Sequence, residues 1–228
     1  RLEVAKTHES GPVALNYLRV RHPHREQGIP YVTLQAALGR GGLDVEERAE
    51  AARVGHLLLR NRSEERVLLL GGEILRGGKQ DRMVNTDVLV APASELDLPV
   101  SCVERDRWHF MSKRFETGSS GTPSIRRELS GSVSRGYEET GEPMSDQSTL
   151  WSMVDDTSLE MGSRSPSSNL SDHYQSRRGD LERLMAQFPP PENACGMMLR
   201  IGGKKVAVDA FDRAETLAAY RTRLLEGY

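Results

Sequence analysis

GGEILRGGKQDRMVNTDVLVAPASELDLPVSCVERDRW, residues 71–108, decides how this chain folds. From Met83 to Val90 apolar and polar positions alternate, with Val84, Thr86, Val88 and Val90 on one face. Leu98 to Glu104 alternates again after a turn over 92–97. Period two marks a half-buried strand, so two antiparallel neighbours are expected here. Glycine pairs at Gly71-Gly72 and Gly77-Gly78 punctuate the approach. The same stretch carries Glu73, Lys79, Gln80, Asp81, Arg82, Cys102, Glu104, Arg107 and Trp108. Polar side chains at that density are costly for a β core to hold without a reason.

Upstream, Val13 to Val20 reads as a strand, and a loop carrying His22 and His24 follows it. A strand from Tyr31 leads into a helical turn over 34–38 closed by Gly39, and the charged run 44–53 is expected on the surface. The apolar runs 55–59 and 66–70 flank NRSEE and are expected as a hairpin.

Downstream, 117–143 is rich in Gly, Ser and Thr and reads as a long mobile loop. Leu150, Met153, Val154 and Met161 fit one helix face with Ser145 as its cap, and GSRSPSSN then breaks the chain. Leu181, Leu184, Met185 and Phe188 fit another face, stopped by Pro189. Gly202-Gly203 marks a hairpin turn between 195–201 and 204–210. Asp212 and Glu215 open a last helix whose apolar face holds Leu217, Tyr220 and Leu224. Strands come first, then helices, then a hairpin and a helix. That order predicts an α+β fold, a mainly antiparallel sheet with several helices in the C-terminal half.

The 228 residues can bury a sizeable core, and a net charge of −2 gives no pull toward nucleic acid or an anionic membrane. Cys102 and Cys195 make neither a disulfide framework nor a zinc ligand set. The expected compartment is the reducing cytoplasm. No metal is expected, although Glu73, Asp81, Asp87 and Glu104 would need to be shown apart, and no cofactor motif is present.

The chemistry divides residue by residue. The glycine pairs serve either turns of positive φ or close backbone approach to an anion, which Lys79 and Arg82 would reinforce. Glu73 is either an acid–base group or half of a structural ion pair with Arg76, Arg82 or Arg107. Cys102 is a nucleophile only if a base such as His109 reaches it; otherwise it is a buried thiol. Glu104, Arg107 and Trp108 form either a cradle for a sugar or base or a packed surface under the loop. Acidic residues are interspersed almost one for one among the basic residues from Arg105 to Arg135, which describes a solvated surface better than a nucleic-acid contact.

GGKQDRMVN, PVSCVERDRW and the closing VAVDAFDRAETLAAYRTRLLEGY resemble the ARPP domain, the ADP-ribosylglycohydrolase- and rhodanese-phosphatase-associated protein domain. This is a bacterial family without an established activity. The resemblance runs from 31–38 to the final helix and implies a single domain over 1–228. Its most specific part is Glu73 with Gly78-Lys79-Gln80-x-Arg82, then Pro99-Val100-Ser101-Cys102-Val103-Glu104-x-x-Arg107-Trp108. The family pattern has asparagine where Asp81 stands and glycine where Asp106 stands.

By that resemblance, the chain binds or processes a small ADP-ribose-like or other phosphorylated nucleotide-like ligand. Glu73 and Glu104 would be acid or base, and Gly77, Gly78, Lys79, Gln80, Arg82, Arg107 and Trp108 would hold the ligand. The alternative is a non-catalytic binding or assembly module whose polar cluster is structural. Neither reading needs a membrane, and both are compatible with a homo-oligomer.

Overall fold

The computed structural model describes residues 1–21, 28–47, 55–107 and 110–228. The chain opens with β1 (Leu2–Ser10), β2 (Val13–Val20), β3 (Val32–Thr33), α1 (Leu34–Gly39) and β4 (Leu43–Glu46). Next come β5 (His56–Asn61), β6 (Val67–Leu69), β7 (Glu73–Arg76) and β8 (Arg82–Val84). β9 (Val88–Val90), β10 (Ser94–Cys102) and β11 (Glu116–Ser120) complete the run of strands. Then follow α2 (Pro123–Thr140), α3 (Gln147–Met161), α4 (Leu170–Ser176) and α5 (Arg178–Met185). β12 (Gly196–Ile201), β13 (Lys204–Ala210) and α6 (Ala214–Gly227) close the chain. This is the α+β class, and its sheets are antiparallel apart from the contact of β3 with β6.

The chain forms two compact units, 1–29 with 177–228, and 30–176. The first unit holds the sheet β1-β2-β12-β13. Tyr17, Leu15, Met197 and Leu199 are buried in it. The β12–β13 turn places Gly202 and Gly203 at φ +55° and +81°, as a two-residue hairpin turn with two positive φ values requires. Tyr17 donates its hydroxyl to the Phe188 carbonyl at 2.7 Å and accepts from Arg221 Nε at 2.6 Å. Leu217, Tyr220 and Leu224 are buried on α6, as their spacing predicts. Its expected capping box is absent: Arg213 is the N-cap and makes no side-chain cap bond, while Asp212 accepts from the Arg213 guanidinium at 2.9 Å. α5 buries none of its residues, and Phe188 just beyond it is buried.

The second unit contains the six-stranded order β11-β7-β8-β10-β5-β4 and the three-stranded order β3-β6-β9. Leu57, Leu59, Val67, Leu69, Leu98 and Val100 share one core. The hairpin expected around NRSEE does not form: β5 pairs with β4 and β10, whereas β6 pairs with β3 and β9. Asn61 is the cause. Its amide donates to the Glu65 and Ala91 carbonyls, both at 2.8 Å, and its oxygen accepts from Ser63. Side-chain bonds of that kind at the end of β5 compete with a hairpin turn. Met83 to Val90 is likewise two strands in different sheets, β8 and β9, split at 85–87. β10 starts at Ser94, inside the expected turn. Asp44, expected at the surface, is buried in β4 and pairs with Arg62 at 3.0 Å and Arg114 at 3.2 Å; 48–54 lie outside the described residues.

The largest departure is 117–143, where the expected loop is instead β11 and an 18-residue helix. Thr122 caps α2 by accepting from Ile125 N–H at 3.3 Å, Pro123 takes the first turn, and Gly141 ends it at φ +76°. Ile125, Leu129 and Val133 form its buried stripe. The glycines that disguise the helix have a packing role. A Cβ on Gly136 would strike the Met144 carbonyl oxygen, so a small residue lets 142–144 lie against α2. α3 is capped by Asp146 and not by Ser145; bonds from Ser148 and Thr149 hold that carboxyl down to about 2.

Candidate functional site

The register of the central strands fixes where the signature residues stand. Ile74 lies opposite Met83, Val84 opposite Val100, and Arg82 opposite Cys102. Glu73 is therefore level with Val84 and Val100, while Glu104 follows the other end of β10. At the rise of an extended chain the two carboxylates are separated by roughly 10–13 Å along the strands. Glu73 and Glu104, the two candidate acid–base groups, therefore stand at opposite ends of these strands. Glu73 is buried and accepts from the Leu70 N–H at 3.3 Å.

At the Glu104 end the groups converge tightly. Glu104 and Arg107 form a two-pronged ion pair, Nε to Oε1 at 2.8 Å and Nη2 to Oε2 at 2.6 Å. Glu104 also accepts from Ser167 Oγ at 2.7 Å and Asp81 N–H at 2.9 Å. Asp81 accepts from Gly77 N–H at 3.2 Å, Arg107 Nη2 at 3.2 Å, Ser171 Oγ at 3.0 Å and Asn169 Nδ2 at 3.1 Å. A carboxylate has about four acceptor positions, and each of these two has four donors. Arg107 reaches the Gly78 carbonyl as well, at 3.0 Å. Asp81, Glu104 and Arg107 are 3%, 1% and 6% exposed, so the cluster is interior.

The electrostatics follow from that burial. Burial pushes the Asp81 carboxyl up, Glu104 nearby adds to the rise, and Asn169, Ser171 and Gly77 oppose it. Burial acts the same way on Glu104, but Arg107, Ser167 and the Asp81 amide outweigh it and hold that carboxyl below its ordinary 4.5. Arg107 keeps its charge because Glu104 and Asp81 more than offset its own desolvation.

A second layer surrounds this core. Gln80 is fully buried, donates to the Arg105 carbonyl at 3.0 Å and accepts from Arg82 at 2.9 Å. Arg82 also donates to Cys102 Sγ at 2.9 Å, yet burial is the larger influence and keeps that thiol's pKa raised. Gly77 and Gly78 sit at φ +144° and +54°. A Cβ on either would press into Phe115, and on Gly77 also into the Arg114 carbonyl at 2.8 Å. Their backbone N–H groups, which an anion would need, are taken by Asp81 Oδ1 and the Ser112 carbonyl. Lys79 is exposed, with its backbone N–H on Glu47 at 2.9 Å. Trp108 and His109, like His22 and His24, lie outside the described residues.

Ser167, Asn169 and Ser171 escaped the sequence reading because a Ser-rich break looks like any linker. They reach Asp81 and Glu104 from more than sixty positions away. Among the described residues no group of three or more His, Cys, Asp or Glu is placed to hold a metal ion. Nor is any helix among them long and apolar enough to cross a membrane.

Compared with family models, the whole of residues 1–228 matches ARPP-1, the ARG and Rhodanese-Phosphatase-superfamily-associated Protein domain. The chain belongs to the ARPP-1 family. The match covers both compact units, so the family domain includes the β12–β13 hairpin and α6 as well as the buried cluster. No curated protein and no solved structure matches the chain.

Proposed function

We propose that this ARPP-1 domain is a non-catalytic binding or assembly module, and that its signature residues clamp three loops together. The supporting observation is the saturation of Asp81 and Glu104, each holding four donors. An acid–base group must present a lone pair or a proton to a substrate, and a carboxylate with every acceptor position filled presents none. The family description, in which we read ARG as ADP-ribosylglycohydrolase, supports a role beside such enzymes, with the chemistry carried out by them. The test is to incubate the purified chain with ADP-ribose and ADP-ribosylated protein and to follow release or cleavage by chromatography. The module reading expects no product that depends on Glu104; turnover in the natural chain that disappears in Glu104→Gln would overturn it.

One observation favours a second reading, in which the chain binds or processes an ADP-ribose-like ligand at this cluster. Asp81 and Glu104 are pushed in opposite directions, which is how one site obtains both an acid and a base. On that reading Lys79, Arg82 and Arg107 would hold phosphate, Gly77, Gly78 and Gln80 would shape the cradle, and Trp108 would stack. Lys79→Met separates the readings, because an exposed side chain can be changed without unfolding the chain. Loss of a charge-assisted bond would weaken ADP-ribose about tenfold or more in calorimetry. The module reading expects Lys79→Met to leave the heat of titration unchanged.

A further inference from the structure

Two exposed patches of the second unit carry large apolar side chains beside charge, and their charges are opposite. The first is the turn before β11, where the adjacent Phe110 and Met111 are 58% and 62% exposed. Backbone bonds lock this turn to the signature loop, Met111 N–H to the Gly78 carbonyl at 3.0 Å and Gly78 N–H to the Ser112 carbonyl at 3.2 Å. Lys79 and Lys113 leave that joint as exposed side chains with no ion pair among the described residues, and Arg114 shares its charge with Asp44 at 3.2 Å. The second patch is the end of α2, where Tyr137 is 61% exposed and Glu138, Glu139 and Glu142 are exposed around it. We infer that the chain pairs with a second copy of itself, residues 110–114 of each lying against the 137–142 end of α2 in the other.

The acidic patch is unfavourable for the chain on its own. The last carbonyls of a helix form the negative end of its dipole, which carboxylates worsen and cations relieve. α2 has no basic residue in its last turn, and Arg135 just before it is held by Glu128 at 3.0 Å. Glu138, Glu139 and Glu142 make no ion pair among the described residues. A basic group from another molecule therefore relieves them best.

The occupant follows from the match between the patches. An aromatic ring rimmed by carboxylates calls for an apolar centre rimmed by ammonium groups. The same chain supplies one: Phe110 and Met111 for Tyr137, Lys79 and Lys113 for the glutamates. Aromatic residues and Met are enriched in the cores of protein interfaces, and charge belongs at the rim. A contact in which each copy gives its turn to the other's helix end closes about a two-fold axis and buries both patches twice. An apolar pair by itself would suit many partners; opposite signs on one chain select a second copy. Both patches are set in place beforehand, the turn by its bonds to Gly78 and α2 by its buried Ile125, Leu129 and Val133, so little ordering opposes association. The inference rests on the assembly side of the module reading and names its partner. Lys79, the exposed member of the signature, becomes a contact between copies.

The experiment is sedimentation velocity on the full chain at micromolar concentrations in low and high salt. A dimer is expected at low salt, and screening is expected to dissociate it. Met111→Asp, at an exposed position, is expected to weaken it about tenfold or more. Two charge-reversed chains decide the arrangement, Lys79→Glu with Lys113→Glu in one and Glu138→Lys with Glu139→Lys in the other. Each is expected to be monomeric alone, because both of its patches then carry one sign. Mixed in equal amounts, they are expected to form heterodimers. A natural chain that stays monomeric gives the patches to a different protein and overturns the inference. A dimer untouched by salt and by Met111→Asp, or reversed chains that do not pair, would overturn it too. A monomer without Glu104-dependent turnover would keep the module reading, whereas such turnover would remove that reading and leave the sedimentation result standing.

Discussion

Replacing Arg107 with methionine is expected to lower the unfolding free energy by about 3–5 kcal/mol, the range for breaking a buried pair by removing one partner. Glu104 and Asp81 would then be two carboxylates in the interior with no guanidinium between them. The Gly78 carbonyl would lose one of its two donors and keep the Met111 N–H. The remedy open to the variant is to take up protons. Its deficit should therefore be greatest at neutral pH and shrink on acidification, which urea unfolding at several pH values would reveal. The natural chain behaves with mixed sign. Glu104, held below its ordinary 4.5, contributes stability that is present above that value and lost as pH falls through its folded pKa. Asp81, raised above its ordinary 3.8, does the reverse: its contribution is full below that value and lost as pH rises through the folded pKa. An Arg107→Met deficit that is small and independent of pH would mean that the cluster is solvated.

Gly77→Ala carries the second large effect, about 3–5 kcal/mol, from backbone strain at positive φ together with overpacking. The φ of +144° is a conformation that side chains rarely adopt. The added methyl would also meet the Arg114 carbonyl oxygen and Ser112 Oγ, both at 2.8 Å. The backbone of 112–115 cannot retreat freely, since Phe115 is 1% exposed and its N–H binds the Val45 carbonyl at 3.1 Å. An anion cradle at Gly77 would behave differently: the methyl would displace a ligand and leave the apo chain's thermal midpoint almost unchanged. Calorimetric melting without ligand distinguishes the two, and a large drop is the expected result.

The elements that could be read in the sequence were those whose partners are local. β2 follows from alternation alone, the β12–β13 turn from two adjacent glycines, and the α6 face from Leu217, Tyr220 and Leu224 at helical spacing. α2 was hidden because Gly131, Gly136 and several serines dilute its stripe, yet Gly136 is small for a packing reason that only the fold supplies. That β5 and β6 take different partners goes with Asn61 reaching the Ala91 carbonyl, a contact between residues thirty positions apart.

The candidate site divides in the same way. Gln80, Arg82, Glu104 and Arg107 were recognisable as a group because Gly78 to Trp108 presents them together. Glu73 seemed to belong with them, but strand register places it at the other end of β7 and β8. Asp81 stood out only as a departure from the family pattern, and it accepts four hydrogen bonds in the buried cluster with Glu104. Ser167, Asn169 and Ser171 carry no mark in a chain rich in serine. Nor did spacing disclose the cleft between the turn at 85–87 and α2, since its walls lie about forty residues apart in sequence.

The most direct trial of the proposal that the signature residues form a closed interior clamp is a double-mutant cycle on Glu104→Gln and Arg107→Met, measured by urea unfolding at neutral pH. A desolvated two-pronged pair should give a coupling energy of about 2–3 kcal/mol, with the double variant far less damaged than the single losses added together. A coupling below about 0.5 kcal/mol, with additive losses, would show the two groups acting separately in water and would contradict the clamp.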